Sequence, residues 1–291
     1  MSLIDLHTHS TASDGSDCPA RLVDAARAAG LAAIALTDHD TTAGLNEAEA
    51  AGRDSGITVI RGCELSTVVE NDTLRMHLLG LWLPRDTGDL QARLQDLRVK
   101  RDARNDRIVA LLRECGLDIS MEDVRGQARG ESVCRPHIAA ALLAKGYVKT
   151  PAEAFRLYLG RQGRAYVPKE VMKDEDAVRM LAGLGATVCL AHPMLDKPPP
   201  DKLEALVARL IPQGLSAIEI WHSEHSAEDT RAALDLARRF GLGLSGGSDY
   251  HGLNKPGIRP GVGRGNLRVG TDVLENLVRL RRKRGLPVYN N

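Results

Sequence analysis

The chain has 291 residues, enough to bury a full hydrophobic core as one large domain or as one domain with an insertion. Its formal net charge is +1, which argues against long-range attraction to a nucleic-acid backbone but leaves room for a locally basic pocket. No apolar stretch approaches the roughly 20 residues that a membrane span needs, and the 5 cysteines include no Cys-x-x-Cys pair. We therefore expect a cytoplasmic protein with reduced thiols, no membrane association and no obligatory protein partner.

Strand and helix patterns alternate over the first 90 residues. Apolar runs predict strands at residues 2–7, 32–37, 57–65 and 76–82. We expect the first helix to be capped by Ser16 or Asp17, with Pro19 in its first turn, and the second helix to span residues 42–54 and end at Gly56.

The same alternation returns after residue 170. Predicted strands cover residues 186–191, 217–221 and 243–248, and predicted helices cover residues 200–211, 227–240 and 272–284. Near-continuous apolar strands that alternate with helices indicate an α/β fold with a parallel, buried sheet, and about seven strands suggest a closed or nearly closed barrel. We assign residues 1–90 and 171–291 to this barrel and residues 91–170 to a helical insertion that covers the active site.

Histidines and carboxylates follow most of these predicted strands. Residues two apart on a strand face the same side, so His7 can act with His9, and Asp249 with His251. A single His-x-His pair is weak evidence, but barrel enzymes place their chemistry at the carboxyl ends of the strands. Mixed imidazole and carboxylate ligands suit Zn²⁺, Mn²⁺ or Fe²⁺. The predicted metal ligands are His7, His9, Asp14, His39, Glu64, His77, His192, Asp249 and His251.

This set resembles the signature of the PHP (polymerase and histidinol phosphatase) family, relatives of the amidohydrolases. The matching motifs are His7-x-His9, Asp14, Thr37-Asp38-His39, Gly62-x-Glu64, His77, His192-Pro193 and Asp249-x-His251. The resemblance implies a distorted (β/α)7 barrel and three divalent ions, with Mn²⁺ expected and Zn²⁺ or Fe²⁺ as alternatives. It also implies three ligand sets, which are His7, His9, Glu64 and Asp249 for one ion, Glu64, His77 and His192 for a second, and Asp14, His39 and His251 for a third.

Clustered divalent ions suit phosphoester hydrolysis, because they lower the pKa of a bridging water and hold the phosphoryl oxygens. Two cations are candidates for binding the substrate phosphate. Arg135 begins a predicted helix, whose N-terminus favours anions, and Lys169 lies where the chain returns to the barrel. His222 ends the sixth strand and is a candidate to bind phosphate or to protonate the leaving group.

Other polar residues near these motifs receive structural interpretations. Asp38 and Asp40 are expected to orient ligands or to cap the next helix, and His225 is expected at the surface. The charged segment Arg98–Arg107 is interpreted as a solvated helix face, and the cluster Arg279–Arg284 as balancing a helix dipole.

The sequence Arg135-Pro-His-Ile-Ala, the insertion and the sequence Tyr166-Val-Pro-Lys169 resemble a PHP subgroup that acts on nucleotides. This resemblance implies hydrolysis of the 3′-phosphate of nucleoside 3′,5′-bisphosphates by a metal-bridged hydroxide. Base stacking would depend on few residues, such as Tyr158, Tyr166 or Trp221.

Four other functions remain open. Two share the metal chemistry and differ in substrate, namely a 5′–3′ exoribonuclease on short RNA and a histidinol-phosphate phosphatase. The third is a PHP module that serves a polymerase, and the fourth is a C–N hydrolase.

Overall fold

The computed structural model describes residues 2–69, 74–128 and 132–288. Eight strands form one mixed sheet. The strands are β1 (Leu3–Thr8), β2 (Leu31–Leu36), β3 (Thr58–Val68), β4 (Arg75–Leu81), β5 (Met172–Lys173), β6 (Thr187–Ala191), β7 (Leu215–His222) and β8 (Gly243–Gly247). Seven of them follow the order β1-β2-β3-β4-β6-β7-β8, and β5 pairs with β3.

Backbone hydrogen bonds bring the two ends of this sheet together. The Asp249 amide, just after β8, donates to the His7 carbonyl at 2.9 Å, and the His9 amide donates to the Tyr250 carbonyl at 2.9 Å. The sheet is therefore a nearly closed barrel, which confirms the predicted fold class.

Ten α-helices are present among the described residues. Those that flank the sheet are α1 (Pro19–Ala28), α2 (Leu45–Ser55), α7 (Asp174–Gly183), α8 (Pro200–Leu210), α9 (Ala227–Phe240) and α10 (Thr271–Lys283). Helix α2 ends at Gly56 in the left-handed conformation, as predicted. Side chains from β1, β2, β3, β4, β6 and β7 pack into one apolar cluster, and α7, α8 and α9 cover a second cluster against β4, β6 and β7.

The expectation of an all-parallel sheet was wrong at one strand. Strand β4 runs antiparallel to both β3 and β6. Six residues separate β3 from β4, and a parallel crossover needs a dozen or more, so the connection permits only antiparallel pairing. Strand β5 was not predicted because two residues carry no periodicity, and helix α7 was not predicted either.

The expected cap of α1 was also wrong. Cys18 occupies the N-cap position without a side-chain hydrogen bond, and Pro19 is the first helical residue. Ser16 and Asp17 bind the segment after β8 instead. The Ser16 hydroxyl accepts from the Leu253 amide at 2.8 Å, and Asp17 accepts from the Tyr250 hydroxyl at 2.6 Å.

Four helices lie between β4 and β5. They are α3 (Gly88–Glu114), α4 (Met121–Arg125), α5 (Arg135–Ala144) and α6 (Pro151–Ala154), and a π-helical turn follows at Phe155–Leu159. The first half of α3 packs with the barrel through Leu90, Leu94 and Leu97. Its second half joins α4, α5 and α6 in a separate apolar cluster. In residues 2–69, 74–128 and 132–288, no helix has the length and apolarity to cross a membrane.

Candidate active site

The nine predicted ligands converge at one rim of the barrel. Their ligand atoms form overlapping groups within 4.8 Å of one another. The groups are His9, Asp14, His39 and His251, then His7, His222 and Asp249, then His7, Glu64 and His192, and finally His39, Glu64 and His77. These four groups differ from the three predicted ligand sets. His9 lies with the third set and His222 with His7 and Asp249, while the second set is divided between two groups that share Glu64.

The reversed direction of β4 explains how His77 reaches this rim. Barrel enzymes place their site residues at the carboxyl ends of strands, but His77 is near the start of β4. Because β4 is antiparallel to its neighbours, its first residues lie beside the last residues of β6, and His77 pairs with Ala191. His192 follows directly.

Glu64 lies at the centre of the cluster and is fully buried. Its Oε2 atom is 3.2 Å from both His7 Nε2 and His9 Nε2, and 3.0 Å from His39 Nδ1. Its Oε1 atom is 2.7 Å from His77 Nδ1 and 3.0 Å from His192 Nε2. One carboxylate shared by five imidazoles has the arrangement of a bridging ligand.

Several of these buried atoms make no hydrogen bond. They are His7 Nε2, both ring nitrogens of His9, His39 Nδ1 and Glu64 Oε2. A buried polar atom without a partner is destabilising by about 1–3 kcal/mol, so a group of them needs an explanation. Divalent ions would accept these lone pairs, and the nitrogen and oxygen donors suit Mn²⁺, Zn²⁺ or Fe²⁺. The residues present therefore fit metal ions.

Electrostatics keeps the carboxylates of the cluster ionised. Burial raises the pKa of Glu64, but the neighbouring His39 and His77 outweigh it and hold that pKa well below its usual value. Burial likewise opposes ionisation of Asp14, and His251 and His39 hold its pKa well below the ordinary range. Metal ligation requires the deprotonated form, which these carboxyls adopt at neutral pH.

Glu219, in β7, supports two of the predicted ligands. It is fully buried, accepts from His7 Nδ1 at 3.2 Å, and accepts from the His192 amide at 2.7 Å. A carboxylate behind a ligating histidine fixes the ring orientation and tautomer. Glu219 was not among the predicted site residues, although an acidic residue between Ile218 and Ile220 in a buried strand was a usable signal.

Three residues at this rim have strained backbones. Asp40, His192 and Asp249 have φ values of 50°, 28° and 55°, in the left-handed region that non-glycine residues rarely adopt. Two of the three are predicted ligands and the third follows His39. Such strain persists where the surrounding structure fixes a functional geometry.

A cavity of about 340 Å³ adjoins the cluster. Three predicted ligands, Asp14, His39 and His77, lie in its wall. Two aromatic side chains, Phe155 and Tyr166, also line it. Within residues 2–69, 74–128 and 132–288, the remaining charged residues of the wall are all cationic, namely Arg75, Arg101, Arg104, Arg135, Arg161 and Lys169.

Both predicted phosphate-binding cations lie in this wall. Arg135 is the first residue of α5, and its Nη1 donates to the Leu159 carbonyl at 3.3 Å. Lys169 donates from Nζ to Asp40 Oδ2 and to Ser66 Oγ, each at 2.7 Å. Their contact with substrate stays a prediction.

His222 lies beside the metal-ligand cluster rather than in the cavity wall. It is 2% exposed, and its Nε2 is 3.4 Å from Asp249 Oδ2. Its Nδ1 accepts from the Glu224 amide at 3.2 Å, so the ring N–H is on Nε2, toward the cluster. With this tautomer, His222 has the position of a hydrogen-bond donor to Asp249 or to a substrate oxygen at the rim.

The expectation for His225 was wrong, and for Asp38 and Asp40 the capping alternative is excluded. His225 is buried rather than at the surface, and its Nδ1 faces the Ile220 carbonyl at 2.9 Å. Neither Asp38 nor Asp40 caps α2, whose N-cap is Gly44. Asp38 instead holds the loop after β1 by accepting from the Ser10 and Ser13 hydroxyls, each at 2.6 Å.

The interpretation of Arg98–Arg107 as a solvated helix face was wrong for two arginines. Arg101 and Arg104 are 6% and 8% exposed and line the cavity, whereas Arg107 is exposed. The signal was available, because positions 101 and 104 continue the apolar i, i+3, i+4 spacing of Leu90, Leu94, Leu97, Ile108 and Leu112.

Only one of the three suggested stacking residues lines the cavity. Tyr166 is in the wall, but Tyr158 is buried in the cluster formed by the insertion helices, where Arg164 lies 4.8 Å above its ring. Trp221 packs against the barrel core. Phe155 lines the cavity and was not anticipated.

The fold and the rim of imidazoles and carboxylates define the chain as a barrel-type metal-dependent hydrolase. The model of the PHP domain matches residues 5–149. The chain is 33% identical over 247 residues to a 5′-3′ exoribonuclease from Haemophilus influenzae, which covers 85% of this chain and 89% of that protein. It is 34% identical over 258 residues to a 3′,5′-nucleoside bisphosphate phosphatase from Chromobacterium violaceum, and this alignment covers 88% of this chain and 90% of that protein. A third relative, a phosphoribosyl 1,2-cyclic phosphate 1,2-diphosphodiesterase from Eggerthella lenta, is 34% identical over 271 residues, with coverages of 89% and 97%.

Solved structures agree with these relatives. A proposed metal-dependent phosphoesterase from Bifidobacterium adolescentis superposes with a TM-score of 0.84 at 32% identity, covering 96% of both chains. An amidohydrolase from Chromobacterium violaceum, solved with bound sulfate and no metal, gives a TM-score of 0.84 at 31% identity and covers 97% of both chains. The chain belongs to the PHP family and is a metal-dependent phosphatase.

Proposed function

We propose that this phosphatase removes the 3′-phosphate from nucleoside 3′,5′-bisphosphates and releases a nucleoside 5′-monophosphate. The observation that carries this proposal is the cationic cavity beside the metal-ligand cluster. Six arginine and lysine side chains line it, and the only carboxylate in the described part of its wall is Asp14, a predicted ligand. A phosphate monoester carries about −1.5 to −2 charges at neutral pH, so this excess of positive charge suits two phosphate groups better than one.

The size of the cavity supports a small substrate. A volume of about 340 Å³ is at the lower end of the range for small-molecule sites. Phe155 and Tyr166 offer flat apolar surfaces in the same wall, where a base can pack. Phosphate groups, a sugar and one base therefore match the chemistry of the lining.

The divalent ions, when bound, supply an activated water and neutralise the phosphoryl oxygens. The chain's own residues have three other roles. The nine predicted ligands hold the ions, with Mn²⁺ as the expected metal. Arg135 and Lys169 bind phosphate oxygens from the cavity wall, and Arg101 lies beside Lys169. His222 directs its Nε2–H toward the cluster, and we assign it a hydrogen bond to an oxygen of the reacting phosphate ester.

A second candidate function is 5′–3′ exonucleolytic trimming of short RNA. Arg75 and Arg161 line both the central cavity and a second groove of about 440 Å³. This groove also contains Lys202, one carboxylate, Asp196, and Lys197, which pairs with Asp229 at 2.7 Å. This groove would accommodate a further phosphodiester. Histidinol phosphate fits less well, because its amino group is cationic and would face the six cations of the wall.

A panel of substrates tests these alternatives. The Mn²⁺-loaded protein would be incubated separately with adenosine 3′,5′-bisphosphate, AMP, histidinol phosphate and a 5′-phosphorylated RNA pentamer, and the products separated by chromatography. We expect fast release of phosphate and AMP from the bisphosphate, with the pentamer intact. Stepwise shortening of the pentamer with little turnover of the bisphosphate would replace the phosphatase by the exonuclease.

A further inference from the structure

Arg104 is a buried cation whose guanidinium is only partly used by the protein. Its side chain is 8% exposed and lines the central cavity. The Nε atom donates to the Val167 carbonyl at 3.0 Å, whereas Nη2 is buried without a hydrogen-bond partner among the residues that the structure describes. A buried donor without an acceptor is destabilising, so its position is explained if a ligand supplies the acceptor.

The charges around Arg104 are also uncompensated. Burial and the neighbouring Arg135 lower the pKa of Arg104 to about 10, and burial lowers the pKa of Arg135 as well. Within the described ranges, neither arginine forms an ion pair with a carboxylate. By contrast, Arg101, one turn earlier on α3, pairs with Asp40 at 3.1 Å. Two arginines held together without an acid form a site for a doubly charged anion.

The spacing along α3 separates this site from the metal cluster. Arg101 binds Asp40, which directly follows the predicted ligand His39. Arg104 lies three residues further along the helix, a rise of about 4.5 Å, and its charged neighbour is Arg135 rather than a ligand. The cavity therefore has one cationic end beside the metal-ligand cluster and a second at Arg104 and Arg135.

We propose that Arg104 determines the specificity for bisphosphates by binding, together with Arg135, the phosphate that is not hydrolysed. In the proposed reaction this group is the 5′-phosphate, so this inference rests on the proposed function. The competing explanation is that Arg104 only fastens the return segment to α3 through the Val167 carbonyl.

The test compares two substrates that differ only in the second phosphate. The values of kcat/KM would be measured for adenosine 3′,5′-bisphosphate and for adenosine 3′-monophosphate with the wild type, Arg104→Gln and Arg107→Gln. Arg107 lies on the same helix, is exposed and is absent from the cavity wall, so its replacement is the matched loss of charge. We expect Arg104→Gln to lower the preference for the bisphosphate about 30-fold, the value of a hydrogen bond to a charged group, and Arg107→Gln to leave it unchanged.

An equal loss with both substrates would overturn the proposal, because a purely structural role does not distinguish them. An unchanged preference would overturn it as well.

Binding measured by calorimetry on the metal-free protein provides a readout that does not require turnover. If the wild type does not hydrolyse the bisphosphate, the proposed function fails. Weaker binding of the bisphosphate by Arg104→Gln, with adenosine 3′-monophosphate as the reference ligand that lacks the 5′-phosphate, would still support Arg104 as a phosphate-binding residue, and equal binding would overturn it.

Discussion

Asp40 Oδ2 accepts a hydrogen bond from Lys169 Nζ at 2.7 Å, and this ion pair connects the metal-bearing rim to the segment that returns from the insertion. The same oxygen pairs with Arg101 Nη2 at 3.1 Å, from α3. One barrel carboxylate beside His39 thus positions two cations of the cavity wall. Burial opposes ionisation of Asp40, but Lys169 and Arg101 together lower its pKa to about 2.

Asp40→Asn should therefore affect both stability and substrate binding. Loss of the charge leaves Arg101 buried without its partner, so the free energy of unfolding should fall by about 3 kcal/mol. KM for the bisphosphate should rise about tenfold with a smaller change in kcat, because the two cations lose their fixed positions. Denaturant unfolding and steady-state kinetics measure the two effects.

Glu49→Gln is the control for Asp40→Asn. Glu49 forms a buried pair with Arg61 at 2.9 Å, away from the cavity. The Glu49→Gln variant should lose stability without any rise in KM for the bisphosphate. A rise in KM that is equal in both variants would show that Asp40 acts through general stability alone.

Glu219→Gln should weaken metal binding. The carboxylate orients His7 through Nδ1 and holds the His192 amide, and loss of such support typically lowers metal affinity about 10- to 100-fold. Competition with a chelator, followed by measurement of bound metal, gives the affinity. Glu228→Gln, at an exposed position of α9, should bind metal like the wild type. Unchanged affinity in Glu219→Gln would remove Glu219 from the support of the site.

Gly247→Ala should displace β1. A Cβ atom at position 247 would lie 2.4 Å from both the backbone nitrogen and the Cβ of His7, so a backbone has to move. We expect a loss of about 3 kcal/mol in the free energy of unfolding, as for other overpacked sites. Gly183→Ala, at the exposed end of α7 with no atom within 4 Å, should instead stabilise by about 0.5–1 kcal/mol. Equal stabilities for the two variants would contradict the close approach of β8 to His7.

Arg135→Ala should lower kcat/KM for the bisphosphate by about 2–3 kcal/mol, the value of a charge-assisted hydrogen bond in a buried site. Arg156→Ala is the control, because Arg156 belongs to the same insertion and pairs with Glu153 while 69% of its side chain is exposed. Its kcat/KM should change by about 0.5 kcal/mol or less. A wild-type value in Arg135→Ala would exclude Arg135 from substrate binding.

Removal of metal should destabilise the protein. The buried atoms of His7, His9, His39 and Glu64 that make no hydrogen bond would lose their ligand. Because the ions bind the folded state, Tm should fall on chelation and should rise with the concentration of added Mn²⁺. Scanning calorimetry measures both changes. A Tm that is the same with chelator and with added Mn²⁺ would argue against a metal centre.

The sequence predicted the elements whose signal is local. The barrel strands have apolar runs, and most of the ligand motifs sit at their carboxyl ends, so the nearly closed barrel and the convergence of most of the nine residues followed from the pattern. His77 is the exception, because it lies near the start of β4. The direction of β4 depends on the short connection to β3, which the apolar pattern does not reveal. Whether the nine residues bind metal stays a prediction.

The residues that sequence analysis missed depend on tertiary contacts. Arg101 and Arg104 occupy positions of α3 where apolar residues would be buried, and only the packing of α3 over the rim makes arginines suitable there. Glu219 acquires its role from the distance to His7, more than 200 residues away in the chain. The arginines were interpreted as solvated because of their charge. Charge carries no information about which side of a helix faces a cavity.

The most direct test of the account is a crystal structure with Mn²⁺ and the products AMP and phosphate, with diffraction measured at the manganese absorption edge. We predict anomalous peaks among the nine ligands at the rim, with inorganic phosphate beside them and the 5′-phosphate of AMP on Arg104 and Arg135. Anomalous peaks elsewhere, or AMP bound outside the cationic cavity, would contradict the account.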